Sequence, residues 1–175
     1  MRFSTLSALT ALTIAATALQ AQSPAVTESK TINGKTISVK YHAPSVRGRK
    51  IFGPGNLISN DPNYPVWRGG ANEATILHTD ADLSVGSLSV PKGDYSLYVL
   101  VENPDAWELI INKQTGQWGL EYNKGQDLGR VKMTMTKPSA PVEVLKYTIS
   151  DNGGGKGTLQ LAWENHVASV PITVK

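Results

Sequence analysis

The sequence predicts an all-β fold: a single antiparallel β-sandwich or jelly-roll-like domain, preceded by a helical signal peptide. Apolar and polar residues alternate with a period of two along most of the 175-residue chain, which is typical of half-buried strands. Glycine, proline and asparagine turn signals separate these segments at short intervals. After residue 21 no segment shows the period of an amphipathic helix. We therefore expect under about a tenth of the mature domain to be helical.

Residues 1–21 have the composition of a secretory signal peptide. Arg2 gives a positively charged start, an apolar run follows over residues 6–19, and small residues allow cleavage after Ala18 or Ala21. The run is shorter than the roughly 20 residues that a membrane span needs, and no later segment approaches that length. The sequence therefore predicts a periplasmic or secreted protein, with residues 22–175 as one mature domain and no membrane span.

The chain has no cysteine and a nearly balanced charge. It therefore has no disulfide, thiolate metal site or cysteine nucleophile, and a lipid-anchored form is excluded. Removing Arg2 from the 17 basic residues leaves 16 against 14 acidic ones, a net charge of +2. Because the basic residues are also scattered, we expect no nucleic-acid partner.

The first predicted elements are a hairpin and a long irregular connection. Asn33 and Gly34 lie between two β-rich arms, which is the strongest short hairpin signal, and Pro44 ends the second arm. Eight glycine and proline residues then exclude long regular structure over residues 45–70. The same segment contains several large apolar side chains, so we expect it to pack on the domain.

Short strands with turns between them are predicted over the rest of the chain, about eight to ten in all. Residues 95–101 have apolar side chains on both faces, which predicts a central strand covered on each side. We expect a tight turn at residues 91–94, one half-exposed strand at 131–135 and a flexible glycine loop at 151–157. The other strands are expected at residues 73–79, 88–90, 107–111, 142–149, 159–163 and 170–174.

The standard catalytic and cofactor-binding motifs are absent from the sequence. There is no nucleophile elbow, phosphate-binding loop or dinucleotide fingerprint. His42, His78 and His166 lack the short spacings of metal sites, so each is expected to be a surface or packing histidine. We therefore expect no cofactor and no metal, and we assign no catalytic residue. The sequence does not single out a carboxylate pair, so glycosidase chemistry stays open.

Two segments place arginine among glycines and aromatic residues. Residues 47–53 read R-G-R-K-I-F-G, and residues 66–75 read V-W-R-G-G-A-N-E-A-T. A planar guanidinium can hold a carboxylate or stack on a ring, and a loop entering a strand is a common place for a site. We expect the two segments to converge in space. The candidate ligand-binding residues are Arg47, Arg49, Trp67, Arg68, Asn72 and Glu73.

A structural role for these residues is an open alternative. Arg47 or Arg68 could pair with Glu73 to pin the loop, and Trp67 could anchor it in the core. Trp118, in the segment T-G-Q-W-G, is a further candidate ligand-binding residue, because an aromatic side chain in a glycine-rich loop can stack on a sugar. Alternatively, Trp118 covers the open end of the sandwich.

Four segments of the chain are similar to one bacterial protein family. They are residues 41–53 (Y-H-A-P-S-V-R-G-R-K-I-F-G), 67–75 (W-R-G-G-A-N-E-A-T), 93–97 (G-D-Y-S-L) and 111–119, which runs from I-N-K to Q-W-G. On these segments the chain resembles the DUF2911 family of domains of unknown function. That family usually has Pro-Tyr-Gly before the Trp-Arg pair, whereas residues 60–66 here read N-D-P-N-Y-P-V. The resemblance implies an exported, β-rich protein and places both arginine segments within the family's own motifs, but it implies no activity.

We expect a non-catalytic exported domain that binds a small ligand, a glycan or a partner in the cell envelope. One alternative is a hydrolase acting on envelope glycans, with Glu73 as the acid or base, and another is a structural interaction module with no pocket. A second carboxylate roughly 5–10 Å from Glu73 in a cleft would favour the hydrolase. Arginine and tryptophan with a single acid would favour binding, and a flat apolar face would favour the interaction module.

Overall fold

The computed structural model describes residues 22–175, so the predicted signal peptide lies outside the described residues. Strands make up 55% of the structure and helical residues 4%, which confirms the predicted all-β fold. The helical residues are two short 3-10 turns, Ile58–Asn60 and Lys124–Gln126. The strands are β1 (Ala25–Ile32), β2 (Lys35–His42), β3 (Val66–Trp67), β4 (Thr75–Thr79), β5 (Leu83–Val85), β6 (Leu88–Val90), β7 (Gly93–Leu100), β8 (Glu108–Asn112), β9 (Asp127–Lys132), β10 (Thr134–Thr136), β11 (Val142–Gly153), β12 (Lys156–Glu164) and β13 (His166–Val174).

The strands form two antiparallel sheets that pack together as a sandwich. The first sheet has the order β1-β2-β4-β7-β8-β9, with β3 paired to the end of β7 beyond β4. The second sheet has the order β11-β12-β13-β5-β6, with β10 also paired to β13. The chain passes between the sheets after β4, after β6 and after β9, and the predicted turn at residues 91–94 is the second of these crossings.

Local sequence explains the first hairpin and the central strand. Asn33 and Gly34 have φ angles of 50° and 72°, which are the left-handed conformations that a tight two-residue hairpin turn requires. Strand β7 lies between β4 and β8, and Leu97 and Tyr98 point to opposite faces yet are both fully buried. Both predictions, the hairpin and the doubly covered central strand, are confirmed.

The core lies between the sheets and contains an aromatic cluster to which the long connection contributes. The ring of Phe52 lies 5.4 Å from that of Trp67 and 4.7 Å from that of Trp107, and Trp67 stacks on Trp163 at 5.6 Å. Since Phe52 belongs to the 45–70 segment and Ile51 and Ile58 are also buried, this segment packs on the domain as predicted.

The prediction of one strand over residues 131–135 is wrong. Strand β9 ends at Lys132 in the first sheet, Met133 donates its backbone N–H to the Trp107 carbonyl at 2.9 Å, and β10 begins at Thr134 in the second sheet. Because both sheets bury their inner faces in the same core, apolar alternation continues through the crossing and does not reveal it.

The glycine loop expected at residues 151–157 is instead a tight hairpin. Strands β11 and β12 stay paired as far as Gly153 and Lys156, and only Gly154 and Gly155 form the turn, with φ angles of 61° and 74°. Glycine adopts these angles without strain, so the glycines here build a turn. The thirteen strands found over residues 22–175 exceed the predicted eight to ten because crossings split strands and several strands have only two or three residues.

Candidate ligand-binding site

The second arginine segment forms the turn between β3 and β4, which is packed tightly against both sheets. Gly69 has a φ angle of 61°, and a Cβ placed on it would lie 2.5 Å from the hydroxyl of Tyr147 in β11. That hydroxyl donates to the Gly69 carbonyl at 2.9 Å. A Cβ on Gly70 would lie 3.2 Å from the His42 carbonyl, which accepts from the backbone N–H of Ala71 at 3.1 Å. These two positions therefore require glycine, and the turn is fixed to β2 and β11.

The first arginine segment forms a turn that is held by β11 and by its own arginine. Arg47 has a φ angle of 49°, and its backbone N–H donates to the Glu143 carboxylate at 2.8 Å. The Arg49 guanidinium donates to the Val46 carbonyl through Nε at 3.0 Å and to the Ser45 carbonyl through Nη2 at 2.6 Å. Within residues 22–175 no carboxylate lies within 4.0 Å of either guanidinium.

The two turns meet at a cleft of about 380 Å³ lined by residues from both sheets. We call it the arginine cleft. The predicted residues that line it are Arg49, Trp67, Arg68 and Asn72, and Asp61 is the one acidic residue among its described lining residues. Trp67 and Trp163 also line it, although both are almost fully buried. The two sequence segments thus come together in space.

Arg68 is a largely buried arginine whose donors have no short hydrogen-bond partner among the described residues. Its side chain is only 17% exposed, yet Nη1 lies 3.4 Å from the Asn72 carbonyl and Nη2 lies 4.0 Å from the Asp61 carboxylate. Its Nε is buried and has no partner among the described residues. Burial raises the pKa of Asp61, and the nearby positive charge of Arg68 opposes that rise. The guanidinium therefore reaches the cleft without a short hydrogen bond to the protein.

Glu73 pairs with a histidine and with neither arginine that the sequence offered as its structural partner. Its Oε2 lies 2.7 Å from His42 Nε2, and its side chain is 60% exposed. The Nδ1 atom of the same imidazole lies 2.9 Å from the Ser23 carbonyl and 3.1 Å from Asn72 Nδ2. His42, Asn72 and Glu73 thus form a polar ridge beside the arginine cleft.

The remaining candidates lie next to the arginine cleft. Arg47 lines an adjoining cleft of about 210 Å³ that shares Arg49 with the first. Trp118 is 43% exposed and forms an isolated antiparallel bridge with Glu73. The following residue, Gly119, donates its backbone N–H to the Asn72 carbonyl at 3.0 Å. The near-complete burial of Trp67 fits the anchoring role that the sequence left open.

His42 is the functional candidate that sequence reasoning missed. It is the last residue of β2 and lies on the outward face, two residues after Lys40. The position of His42 in the sequence, close to Pro44 and the first arginine segment, could have marked it as a candidate. Its pairing with Glu73 could not be predicted in this way, because it depends on the register of β2 with β4. Among the described residues, no cluster of three or more histidines and acids could hold a metal ion.

The other two histidines lie in different surroundings. The His78 ring donates to two carboxylates, from Nδ1 to Asp94 at 2.7 Å and from Nε2 to Asp80 at 3.1 Å, and these hydrogen bonds raise its pKa. His166 stacks on Trp107 at 5.2 Å, and burial lowers its pKa.

The fold and this geometry define an antiparallel β-sandwich domain with a basic cleft lined by both of its sheets. The chain belongs to the DUF2911 family, which is described as a protein of unknown function, and the family profile matches residues 23–172. No curated protein matches the sequence, and no solved structure matches it. Over residues 22–175, none of the helical segments has the length and apolar character to cross a membrane.

Proposed function

We propose that this protein is an exported, non-catalytic domain that binds a small ligand through an anionic group held in the arginine cleft. Export rests on the signal-like composition of residues 1–21. The observation that supports binding most directly is the state of Arg68, whose guanidinium lies in a cleft and makes no hydrogen bond shorter than 3.4 Å within the described chain.

A carboxylate or sulfate oxygen is the group that best completes such a site. Arginine presents five N–H donors in a fixed plane, and a buried donor without an acceptor is destabilising by about 1–3 kcal/mol. Arg49 uses two of its donors on backbone carbonyls, which fixes its guanidinium in place and leaves further N–H groups free. With one acid against two arginines, the lining has an excess of positive charge. An anion between Arg49 and Arg68 gains charge-assisted hydrogen bonds that a neutral group does not.

The inner side of the cleft is closed by packed aromatic rings. Trp67 and Trp163 stack with their rings 5.6 Å apart and 18° from parallel, and both are at most 2% exposed. They therefore expose almost no ring surface on which a ligand could stack, and the guanidinium groups supply the contacts to the ligand. The ligand we propose is a small molecule with one carboxylate or sulfate.

The two alternative functions lack support in the geometry. Glu73 has no second carboxylate among the described residues that line a cleft with it, as an acid–base pair would need. An interaction module would present a contiguous apolar face. In the part of the chain that the structure describes, the exposed large apolar side chains are Trp118 and Val144.

A thermal-shift experiment with matched acids and neutral analogues tests the proposal. The purified protein is heated with glucuronate against glucose and with benzoate against benzamide. Ligand at 100 times its Kd stabilises by about 2.7 kcal/mol, which raises the Tm of a domain of this size by about 5–10 °C. We expect such a rise with an acid and not with its neutral partner.

Two variants that each remove one positive charge test whether the acid raises Tm by binding at Arg68. Arg68→Gln should abolish the rise, whereas Lys50→Gln, an exposed neighbour of Arg49 outside the lining, should preserve it. Equal shifts with acids and neutral analogues, or an unchanged response in Arg68→Gln, would show that the arginine cleft is not an anion site.

A further inference from the structure

A second cleft, of about 340 Å³, lies on the outer face of the first sheet and is lined by both members of the His42–Glu73 pair. We call it the outer cleft. Its polar lining comes from Lys40, His42, Glu73 and Gln117, and Ile76 and Ala74 contribute apolar surface. Of the residues that line the arginine cleft, none lines this one. The outer cleft is therefore a separate candidate site.

Strand alternation explains why these side chains share one face. In β2, Ile37, Val39 and Tyr41 point into the core, so Lys40 and His42 point outward. Lys40 is directly opposite Ile76 of β4, which places the two on the same outer face. The segment between β8 and β9 then crosses this face and forms the other side of the cleft with Gly116 and Gln117.

The side-chain carbonyl oxygen of Gln117 accepts no hydrogen bond from the described residues. The residue is only 7% exposed, and its Nε2 donates to the Ser96 and Tyr98 hydroxyls at 3.1 Å each. Its Oε1 is buried and has no hydrogen-bond partner among the described residues. Buried side-chain oxygens are satisfied in most proteins, and those that are not usually meet a water molecule or a ligand. Gln117 is thus a lining residue of the outer cleft that is fixed by two hydrogen bonds and has a buried carbonyl oxygen without a partner among the described residues.

Trp118 has an exposed aromatic surface and is adjacent to two residues that line the outer cleft, Gln117 in sequence and Glu73 across a backbone bridge. It is the antiparallel bridge partner of Glu73, and directly opposed residues place their side chains on the same face. Its 43% exposure contrasts with the other three tryptophans, Trp67, Trp107 and Trp163, which are 1–2% exposed. A large aromatic side chain next to a carboxylate is therefore held in solvent by a backbone bridge.

We propose that the outer cleft binds a neutral sugar residue. A sugar hydroxyl both donates and accepts, and the cleft offers both kinds of partner: Glu73 accepts and Lys40 donates. The exposed ring of Trp118 gives the less polar face of a sugar ring a surface on which to stack. Lys40 disfavours a cationic ligand and Glu73 disfavours an anionic one, so a neutral polyol is the ligand class that fits both charges.

Tryptophan fluorescence tests this proposal because one tryptophan reports on the outer cleft. Iodide reaches Trp118 and not the three buried tryptophans, so quenching by iodide measures the exposure of Trp118. The probes are the neutral trisaccharides cellotriose, maltotriose and chitotriose, with glycerol as a control polyol. We expect at least one trisaccharide to protect Trp118 from iodide in a saturable manner, and glycerol to give no protection.

Two variants, each replacing one glutamate with glutamine, test whether the sugar binds at Glu73. Glu73→Gln removes a charge-assisted hydrogen bond, which should raise the Kd of the protecting sugar at least about tenfold. Glu102→Gln changes an exposed acid that lies outside this lining, and it should bind the sugar like the unaltered protein. Arg68→Gln should also leave sugar protection intact, which separates this site from the anion site proposed above.

Either of two results would overturn the proposal. One is that no trisaccharide protects Trp118 at concentrations up to about 10 mM, well above the Kd of even a weak specific site. The other is that Glu73→Gln and Glu102→Gln weaken the sugar equally, because binding would then lie elsewhere.

Discussion

Replacing Gly119 with alanine tests the packing that positions Arg68. A Cβ on Gly119 would lie 2.3 Å from Arg68 Cδ and 2.6 Å from the Asn72 carbonyl oxygen. The carbonyl belongs to the backbone and already accepts from the Gly119 N–H at 3.0 Å, so it cannot move away freely. Overpacking by one methyl group is destabilising by about 1–3 kcal/mol. Alanine also lowers the conformational entropy of the unfolded chain, which stabilises the folded protein by about 0.4–1 kcal/mol and offsets part of this loss.

Because one of the two clashes is with the backbone, the upper part of the overpacking range, about 2–3 kcal/mol, applies. The expected net loss is therefore about 1–2.6 kcal/mol, which lowers Tm by about 2–10 °C in a domain of this size. Urea unfolding at unchanged m-value measures the loss directly. The control is Gly125→Ala, whose Cβ would meet only Asn123 Oδ1, at 3.2 Å, and which should stay within about 0.5 kcal/mol. Because the new methyl group displaces Arg68, Gly119→Ala should also weaken anion binding. A Gly119→Ala protein as stable as the original would refute this account of how Arg68 is held.

Three further outcomes follow from the contacts of single side chains. Glu73→Gln should change stability by less than about 1 kcal/mol in urea unfolding, because the carboxylate is 60% exposed and its ion pair is on the surface. Tyr147→Phe removes a buried hydroxyl that donates to the Gly69 carbonyl, and it should lower the unfolding free energy by about 1 kcal/mol, measured by the same method. The folded-state pKa of His78 is raised above its ordinary 6.5, so its pairing stabilises the fold fully below 6.5 and this contribution is lost as pH rises through the raised value. His78→Gln should therefore destabilise the protein more near about pH 5.5 than near about pH 9, and equal losses at both would contradict the pairing.

Much of the fold could be predicted from local patterns. The hairpin at Asn33 and Gly34, the central strand at residues 95–101 and the packed 45–70 segment each depend on turn chemistry or on alternation, which short stretches of sequence carry. The crossing at Met133 could not be predicted, because apolar residues alternate in the same way whether the strand stays in its sheet or changes to the other.

The candidate site could be predicted in part. The convergence of the two arginine segments was expected because the connection that joins them leaves one strand of the sheet framework and re-enters another near Glu73. The partners of individual side chains were not predictable. Glu73 is five residues from Arg68 in sequence, yet it meets His42, because β2 and β4 are adjacent in the first sheet. Gln117 and Trp118 reach the same region only through the isolated bridge to Glu73.

If Arg68 holds an anion in the arginine cleft, the nuclear magnetic resonance signal of its Nε–H group should report the binding. Four arginines lie within the described chain, and Arg130 serves as the internal control because its guanidinium already pairs with Asp127 at 3.1 Å and Tyr122 at 2.9 Å. In a titration with glucuronate and benzoate, we predict that the Nε–H resonance of Arg68 shifts in a saturable manner and that of Arg130 stays unchanged. Equal shifts of the two resonances, or an Arg68 resonance that does not move with either acid, would contradict the account.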